Sequence, residues 1–164
     1  MKVKFLAING IVAALYVAIS LTVAPFGFTE IQFRISEIFN HLIAFNPLFA
    51  GGIILGVFIT NLFSPLGIYD LFFGVGHSVL TIGLLLFFYK FVKNIWARLA
   101  LNTFIFSFTM CIIAYEINLV SSFEDQIPFM WLWFTVAAGE FIVLAVGAPI
   151  MYAMNKRMHF KNLY

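Results

Sequence analysis

The sequence predicts an all-α integral membrane protein, a bundle of six transmembrane helices with the N- and C-termini cytoplasmic. Three observations predict it. The 164 residues are 63% apolar, 19% aromatic and only 10% charged, with a mean hydropathy of +1.05; a domain of this size could not present that composition to water, so its solvent is lipid. Eight of the nine Lys and Arg residues fall in three short patches, namely Lys2 and Lys4; Lys90, Lys93 and Arg98; and Lys156, Arg157 and Lys161. Finally, Pro, Gly and charge cut the apolar chain into segments close to the roughly 20 residues that cross a bilayer, or somewhat shorter ones suited to a bundle interior.

Helix 1 is expected over about 5–24. Lys2 and Lys4 ahead of it imitate a signal peptide, but the apolar run is too long for one and Pro25 follows at once, so it reads as a retained span. A loop with Gly27, Glu30 and Gln32 leads to Arg34. Helix 2, about 35–45, is short. Asn46-Pro47 makes the turn into helix 3, about 48–63, because proline lacks an amide hydrogen and suits a first helical turn. Ser64-Pro65-Leu66-Gly67 closes helix 3 with turn residues. Helix 4 follows over about 69–92, helix 5 over about 97–119 and helix 6 over about 127–154. Six crossings place all three basic patches on the cytoplasmic side, as the positive-inside rule requires, and put Glu30, Arg34, Glu124 and Asp125 outside. Residues 1–164 thus form a single membrane domain.

The net charge of +2 is spread over three patches, which suits orientation in the membrane and contact with anionic headgroups rather than nucleic acid. Cys111 stands alone in an apolar run and reads as a small buried side chain. No Walker A loop, His-Glu-x-x-His, Cys cluster or Gly-x-Ser-x-Gly occurs, and no histidine–acid pair has a strong metal-ligand spacing, so neither an enzyme nor a resident metal is expected.

An ionisable residue within a span is costly and is a functional candidate for that reason. Glu37, Asn40 and His41 lie near the outer end of helix 2 at spacings of three and four. Asn61 lies near the outer end of helix 3. Asp70, Gly74, His77 and Thr81 form one stripe of helix 4, and Asn102, Thr109 and Glu116 one stripe of helix 5. Glu140 is deepest, about 20 Å along helix 6 at 1.5 Å per residue. Asn102 and Thr109 are read first as helix–helix hydrogen-bond partners, His41 and His77 as neutral packing residues, and Arg34 and Glu37 as a pair one turn apart. Glu140 has the weakest bland reading, since a mid-membrane carboxylate must be paired, protonated or facing water. Apolar walls with a few such groups describe a small-molecule site open to the outside. Two small-residue stripes, Gly10, Ala14 and Ala18 on helix 1 and Gly52, Gly56 and Thr60 on helix 3, allow close backbone approach, within the bundle for helix 3 and inside it or against a partner for helix 1.

Several segments together resemble a known family. The run from Ile8 to Ala18 is similar to the start of an energy-coupling-factor (ECF) S component. Ile31-Gln32-Phe33-Arg34-Ile35-Ser36-Glu37, Asn61-Leu62-Phe63-Ser64-Pro65, Asp70 with Phe73-Gly74, and Gly139-Glu140 followed by Gly147 and Pro149 resemble the QueT family of queuosine-precursor transporters. The resemblance runs over nearly the whole chain. His41 and His77 depart from the family pattern, which often has small or hydroxylated residues there, so it implies no family-wide role for them.

The resemblance implies a substrate-capture subunit in the bacterial plasma membrane. Such a subunit takes up a 7-deazaguanine (preQ1, preQ0 or queuine) from outside and works with a transmembrane coupling subunit and two ATPases. No cofactor is implied in this chain; the partner ATPases use ATP. Gly10, Ala14 and Ala18 match the stripe that docks on the coupling subunit. A carboxylate can accept the paired donors of a guanine edge, which assigns that edge to Glu140 and places Glu37 or Asp70 near the 7-substituent. Arg34 orients the outer loop or the ligand carbonyl, and Gln32, Asn61, His77 and Glu116 complete the candidate set. The alternatives are an S component for another vitamin-like nutrient, a stand-alone proton-coupled carrier with Glu140 as relay, a metal-dependent membrane enzyme, and an assembly subunit without a ligand.

Overall fold

The computed structural model describes residues 2–23, 34–122 and 126–163. Gln32, Glu30, Glu124 and Asp125 lie outside the described residues. Within them every element is helical. Four helices have the length and composition to cross a membrane: α1 (Lys2–Thr22), α4 (Ile68–Phe88), α5 (Ile95–Val120) and α6 (Phe129–Met158). Two shorter apolar helices, α2 (Ile35–Phe45) and α3 (Pro47–Asn61), complete the six.

Side-chain partition is the reverse of a soluble protein's. Phe72, Phe104, Trp131 and Phe134 point outward, whereas Asn40, His41, Asn102 and Glu116 are fully buried. Only a lipid solvent makes both placements favourable at once.

Local chemistry sets the element boundaries. Asn46 is extended, as a residue before proline must be, and its side chain accepts from the Leu48 amide to start α3. Asn94 does the same for α5, accepting from the amides of Trp96 and Ala97. Gly67, at φ +61°, supplies the left-handed residue ahead of α4.

Helix 4 ends at Phe88 rather than near residue 92 as the hydropathy suggests. Arg98 accounts for the early stop. Its guanidinium donates to the carbonyls of Val92 (2.7 Å), Tyr89 (3.0 Å) and Ala44 (3.3 Å) and lies over the Tyr89 ring, satisfying carbonyls that the helix leaves open. Helix 5 is interrupted at Met110, between Ile95–Thr109 and Cys111–Val120. Helix 6 runs on to Met158 through Pro149. Proline there frees a carbonyl one turn back, and the adjacent Leu144 carbonyl accepts from His41 Nε2 at 2.9 Å.

The main apolar core joins Val12 and Tyr16 of α1, Ile43 of α2, Ile53 of α3, Leu85 of α4, Leu99 and Phe106 of α5, and Leu144 and Met151 of α6. α1 packs most extensively against α3, and glycines make the approach possible. A Cβ on Gly52 would sit 2.7 Å from the Asn9 carbonyl oxygen, and one on Gly56 would sit 2.8 Å from Tyr16 Cβ. Asn9 Oδ1 accepts from the Gly52 amide at 2.5 Å, capping from the neighbouring helix the turn where α3 passes from its 3₁₀ start, Pro47–Phe49, into the α-helix Ala50–Asn61.

The stripe on helix 3 therefore packs inside the bundle. On α1, Gly10, Ala14 and Ala18 are exposed. Gly52→Ala is expected to destabilise the protein by about 1–3 kcal/mol through overpacking, read as a lower melting temperature in detergent. Gly83→Ala is the control, since a Cβ there meets nothing within 4 Å. Equal melting temperatures for the two variants would contradict this packing.

Candidate functional site

The first seven residues of α2, Ile35–His41, form a 3₁₀ rather than an α-helix. With three residues per turn, side chains three apart stack in rows. Ser36 and Phe39 face α1, where the Ser20 hydroxyl donates to Ser36 Oγ at 2.6 Å and the Tyr16 ring lies 6.5 Å from that of Phe39. Ile38 and His41 face α6, with Ile38 against Gly147 and His41 on the Leu144 carbonyl. The remaining row, Arg34, Glu37 and Asn40, is left for the polar centre of the bundle. In an α-helix His41 would have shared the face of Glu37 and Asn40; the 3₁₀ form turns it away.

Glu37 is buried and fully engaged. Tyr16 donates its hydroxyl to Oε1 at 2.7 Å, and Asn40 Nδ2 donates to Oε2. Asp70, in the first turn of α4, accepts from the Ser64 hydroxyl, while its carbonyl accepts from Asn61 Nδ2 at 2.9 Å. Asn61 in turn packs against Gly74, where any Cβ would collide with the amide.

Arg34 lies 3.9 Å from Asp70, as an ion pair too long for a hydrogen bond. Its field also reaches Glu37, Glu140 and Glu116. Burial opposes the guanidinium charge, and Asp70 first, with Glu37 and Glu140 beyond it, favours it.

Two carboxylates remain open. Glu140 and Glu116 are 1% and 0% exposed, and none of their four oxygens finds a hydrogen-bond donor among the described residues. Glu140 lies near Glu37 and Arg34; Glu116 lies against Asp70, close enough for one carboxyl group to share a proton with the other. A buried acceptor without a donor is a costly arrangement in any interior, and here it occurs twice around one arginine.

The other sequence candidates separate from this centre. His77 Nε2 and the Thr81 hydroxyl both lie 2.9 Å from Thr109 Oγ1, which donates to the Ile105 carbonyl at 2.8 Å. These three tie α4 to α5. Asn102 donates to the Asn40 carbonyl at 2.8 Å and so fixes α2 on α5. Asn102 and Thr109 are thus helix–helix partners, as their spacing suggests. Sequence reasoning missed Tyr16, Ser20, Ser36 and Ser64. The signal for Tyr16 was present: a hydroxyl inside a span needs a partner.

A cavity of about 30 Å³ opens beside the cluster, lined by Tyr16, Ser20, Arg34, Ser36, Thr60 and Asn61 among others. It matches roughly one water molecule and falls far below the several hundred Å³ of a typical ligand pocket. A groove of about 550 Å³ between α5 and α6 is larger, but Phe104, Phe108, Trp133, Phe134 and Phe141 line it, with Ser107 as its hydroxyl. It offers apolar contact and little to recognise a polar solute. The chemistry is concentrated at the carboxylate cluster, which can hold a cation or a ligand with paired N–H donors.

Comparison with known proteins finds two likenesses. The family model described as QueT transporter matches residues 6–156. The queuosine precursor transporter QueT of Lactococcus lactis subsp. cremoris is 34% identical over 153 residues, covering 90% of this chain and 90% of that protein. No solved structure matches the chain.

Proposed function

Since the chain belongs to the QueT transporter family, a family of transporters and not of enzymes, we propose that it is the substrate-capture subunit of an ECF-type importer for a 7-deazaguanine queuosine precursor. The observation that carries this reading is Glu140. It is a carboxylate fully buried in a multi-pass plasma-membrane protein, with both oxygens open and a guanidinium nearby. A 7-deazaguanine presents adjacent N–H donors that one carboxylate accepts as a pair, and a carbonyl that Arg34 or Asn61 can serve.

The orientation follows from charge. Lys90, Lys93, Arg98, Lys156, Arg157 and Lys161 cluster at the end of the bundle where Asn46 meets the Lys161 carbonyl and Ile8 lies near Leu163. By the positive-inside rule this end is cytoplasmic, and all six helices then cross or enter the membrane with the carboxylate cluster in the outer half. The exposed stripe of Gly10, Ala14 and Ala18 fits docking on a coupling subunit that brings the ATPases. Capture requires the cluster to open, because the cavity beside it is far smaller than a purine.

Thermal unfolding of the detergent-purified chain with preQ1, preQ0, queuine, guanine and a vitamin panel tests the reading. A ligand that binds only the folded form raises the melting temperature, by an amount equivalent to about 2.7 kcal/mol at a hundred times its dissociation constant. A rise with deazaguanines alone is expected. A rise with a vitamin alone would keep the capture architecture and discard the substrate.

A further inference from the structure

Four buried carboxyl groups, Glu37 of α2, Asp70 of α4, Glu116 of α5 and Glu140 of α6, surround the guanidinium of Arg34, and the phenol of Tyr16 on α1 faces them. His41 and His77 add no counter-charge, since one is spent on the Leu144 carbonyl and the other on Thr109. Carboxylates gathered around one cation cannot all be ionised. The cluster therefore holds protons, and any change in its charge moves protons in or out. Groups so deeply buried do not meet water directly, so those protons need a path.

A row of hydroxyls supplies one. Ser20, near the end of α1, donates to Ser36 Oγ at 2.6 Å. The Ser36 hydroxyl is within hydrogen-bond reach of the Tyr16 oxygen, and Tyr16 donates to Glu37 Oε1 at 2.7 Å. All four residues are at most 9% exposed, and Tyr16 and Ser20, four apart, share one face of α1. A hydroxyl both donates and accepts, so a row of them can hand on a proton, which an amide or a carbonyl does not. The Ser64 hydroxyl on Asp70 leads no further, because its oxygen accepts from the Leu66 amide. The cavity of about 30 Å³ runs along the same row, lined by Ser20, Ser36, Tyr16 and Thr60. The Thr60 hydroxyl has no partner among the described residues, so a water molecule there has polar groups to hold it.

We propose that Ser20, Ser36 and Tyr16 are a proton relay joining water at the Thr22 end of α1 to Glu37 and the buried carboxyl cluster. Glu37 takes the Tyr16 hydroxyl proton, the Tyr16 oxygen takes that of Ser36, Ser36 takes that of Ser20, and Ser20 takes one from a hydronium ion, which becomes water. One O–H bond breaks for each that forms, every hydroxyl keeps one hydrogen, and Glu37 gains one proton. Release runs the same chain backwards. Glu37 stands in the field of Glu140, so its gain or loss is felt by the carboxyl group proposed to bind ligand. The relay operates whatever that ligand is.

Infrared spectroscopy of the full chain in detergent tests the relay without a ligand. The carbonyl stretch of a protonated carboxyl group shifts when its hydrogen is replaced by deuterium, so transfer into heavy water times proton access. Near neutral pH exposed carboxyl groups are ionised, and the band reports buried ones. Tyr16→Phe removes the hydroxyl and keeps the ring that packs against Phe39. Exchange is expected to slow about tenfold or more in this variant and in Ser20→Ala. It is expected to stay near the unaltered rate in Ser20→Thr, which keeps a hydroxyl, and in Ser107→Ala, whose hydroxyl bonds only the Thr103 carbonyl of its own helix. A merely structural role has the opposite sign, since a lost buried hydrogen bond loosens the fold and speeds exchange through local opening. Unchanged or faster exchange in Tyr16→Phe would overturn the relay, as would the lack of any protonated-carboxyl band in the unaltered protein.

Discussion

Arg34→Gln is expected to be the most damaging single substitution in the chain. Its guanidinium lies 3.9 Å from Asp70 and is the counter-charge that reaches Glu37, Glu116 and Glu140. At a protein-like effective dielectric of about 20, one pair at 4 Å is worth about 4 kcal/mol before desolvation is subtracted. Removing one partner of a buried pair costs about 3–5 kcal/mol, because the other charge is left buried and unmatched. For a chain of this length that corresponds to a fall in melting temperature of about 10 °C. Arg34→Lys keeps the charge but not the planar fork and is expected to recover part of the loss. A melting temperature equal to that of the unaltered protein would show that the cluster is neutralised in another way.

Glu140→Gln is expected to do the opposite to stability and equal harm to function. Neither Glu140 oxygen has a donor within the described residues. Replacing the carboxyl group with an amide of the same shape therefore removes no hydrogen bond that the described residues make to it and is expected to leave the melting temperature equal or raised. The amide presents one acceptor and one donor where the guanine edge needs two acceptors, so it meets one ligand N–H with its own. Affinity for every 7-deazaguanine is expected to fall by about a hundredfold or more. Calorimetry and thermal unfolding on one preparation read both effects. Normal binding by this variant would reject Glu140 as the guanine-edge carboxylate; lost binding with lost stability would mark it as a structural residue.

The two variants differ because the two residues stand differently in the fold. Arg34 is matched by several acids, so its loss is felt before any ligand arrives. Glu140 has no donor among the described residues, so its cost is already present in the folded chain and, on the proposed reading, is recovered on binding. Unmatched buried acceptors are a common feature of sites that give up stability for recognition.

Much of this was legible in the sequence. Apolar composition and proline and glycine punctuation determined a helical membrane protein and the order of its helices. They act locally or through the solvent, and a linear reading captures such effects. The residues Glu37, Asp70, Glu116 and Glu140 were also visible as ionisable groups in apolar runs, because their cost in lipid does not depend on the details of packing.

Tertiary structure alone decided which of these acids are satisfied. Tyr16 and Glu37 are 21 positions apart and meet only because α2 packs against α1, where the Ser20 hydroxyl also donates to Ser36. Ser64 is a turn residue by its sequence, and packing also makes it the hydroxyl from which Asp70 accepts. The 3₁₀ winding of Ile35–His41 sent His41 to α6 and kept Glu37 in the centre, a choice between periods of 3.0 and 3.6 that seven residues cannot announce. Whether a buried carboxylate is paired or open is a property of what the other helices bring to it. The sequence by itself determined where the charges are, and packing between distant segments determined that Glu116 and Glu140 find no donor in another side chain among the described residues.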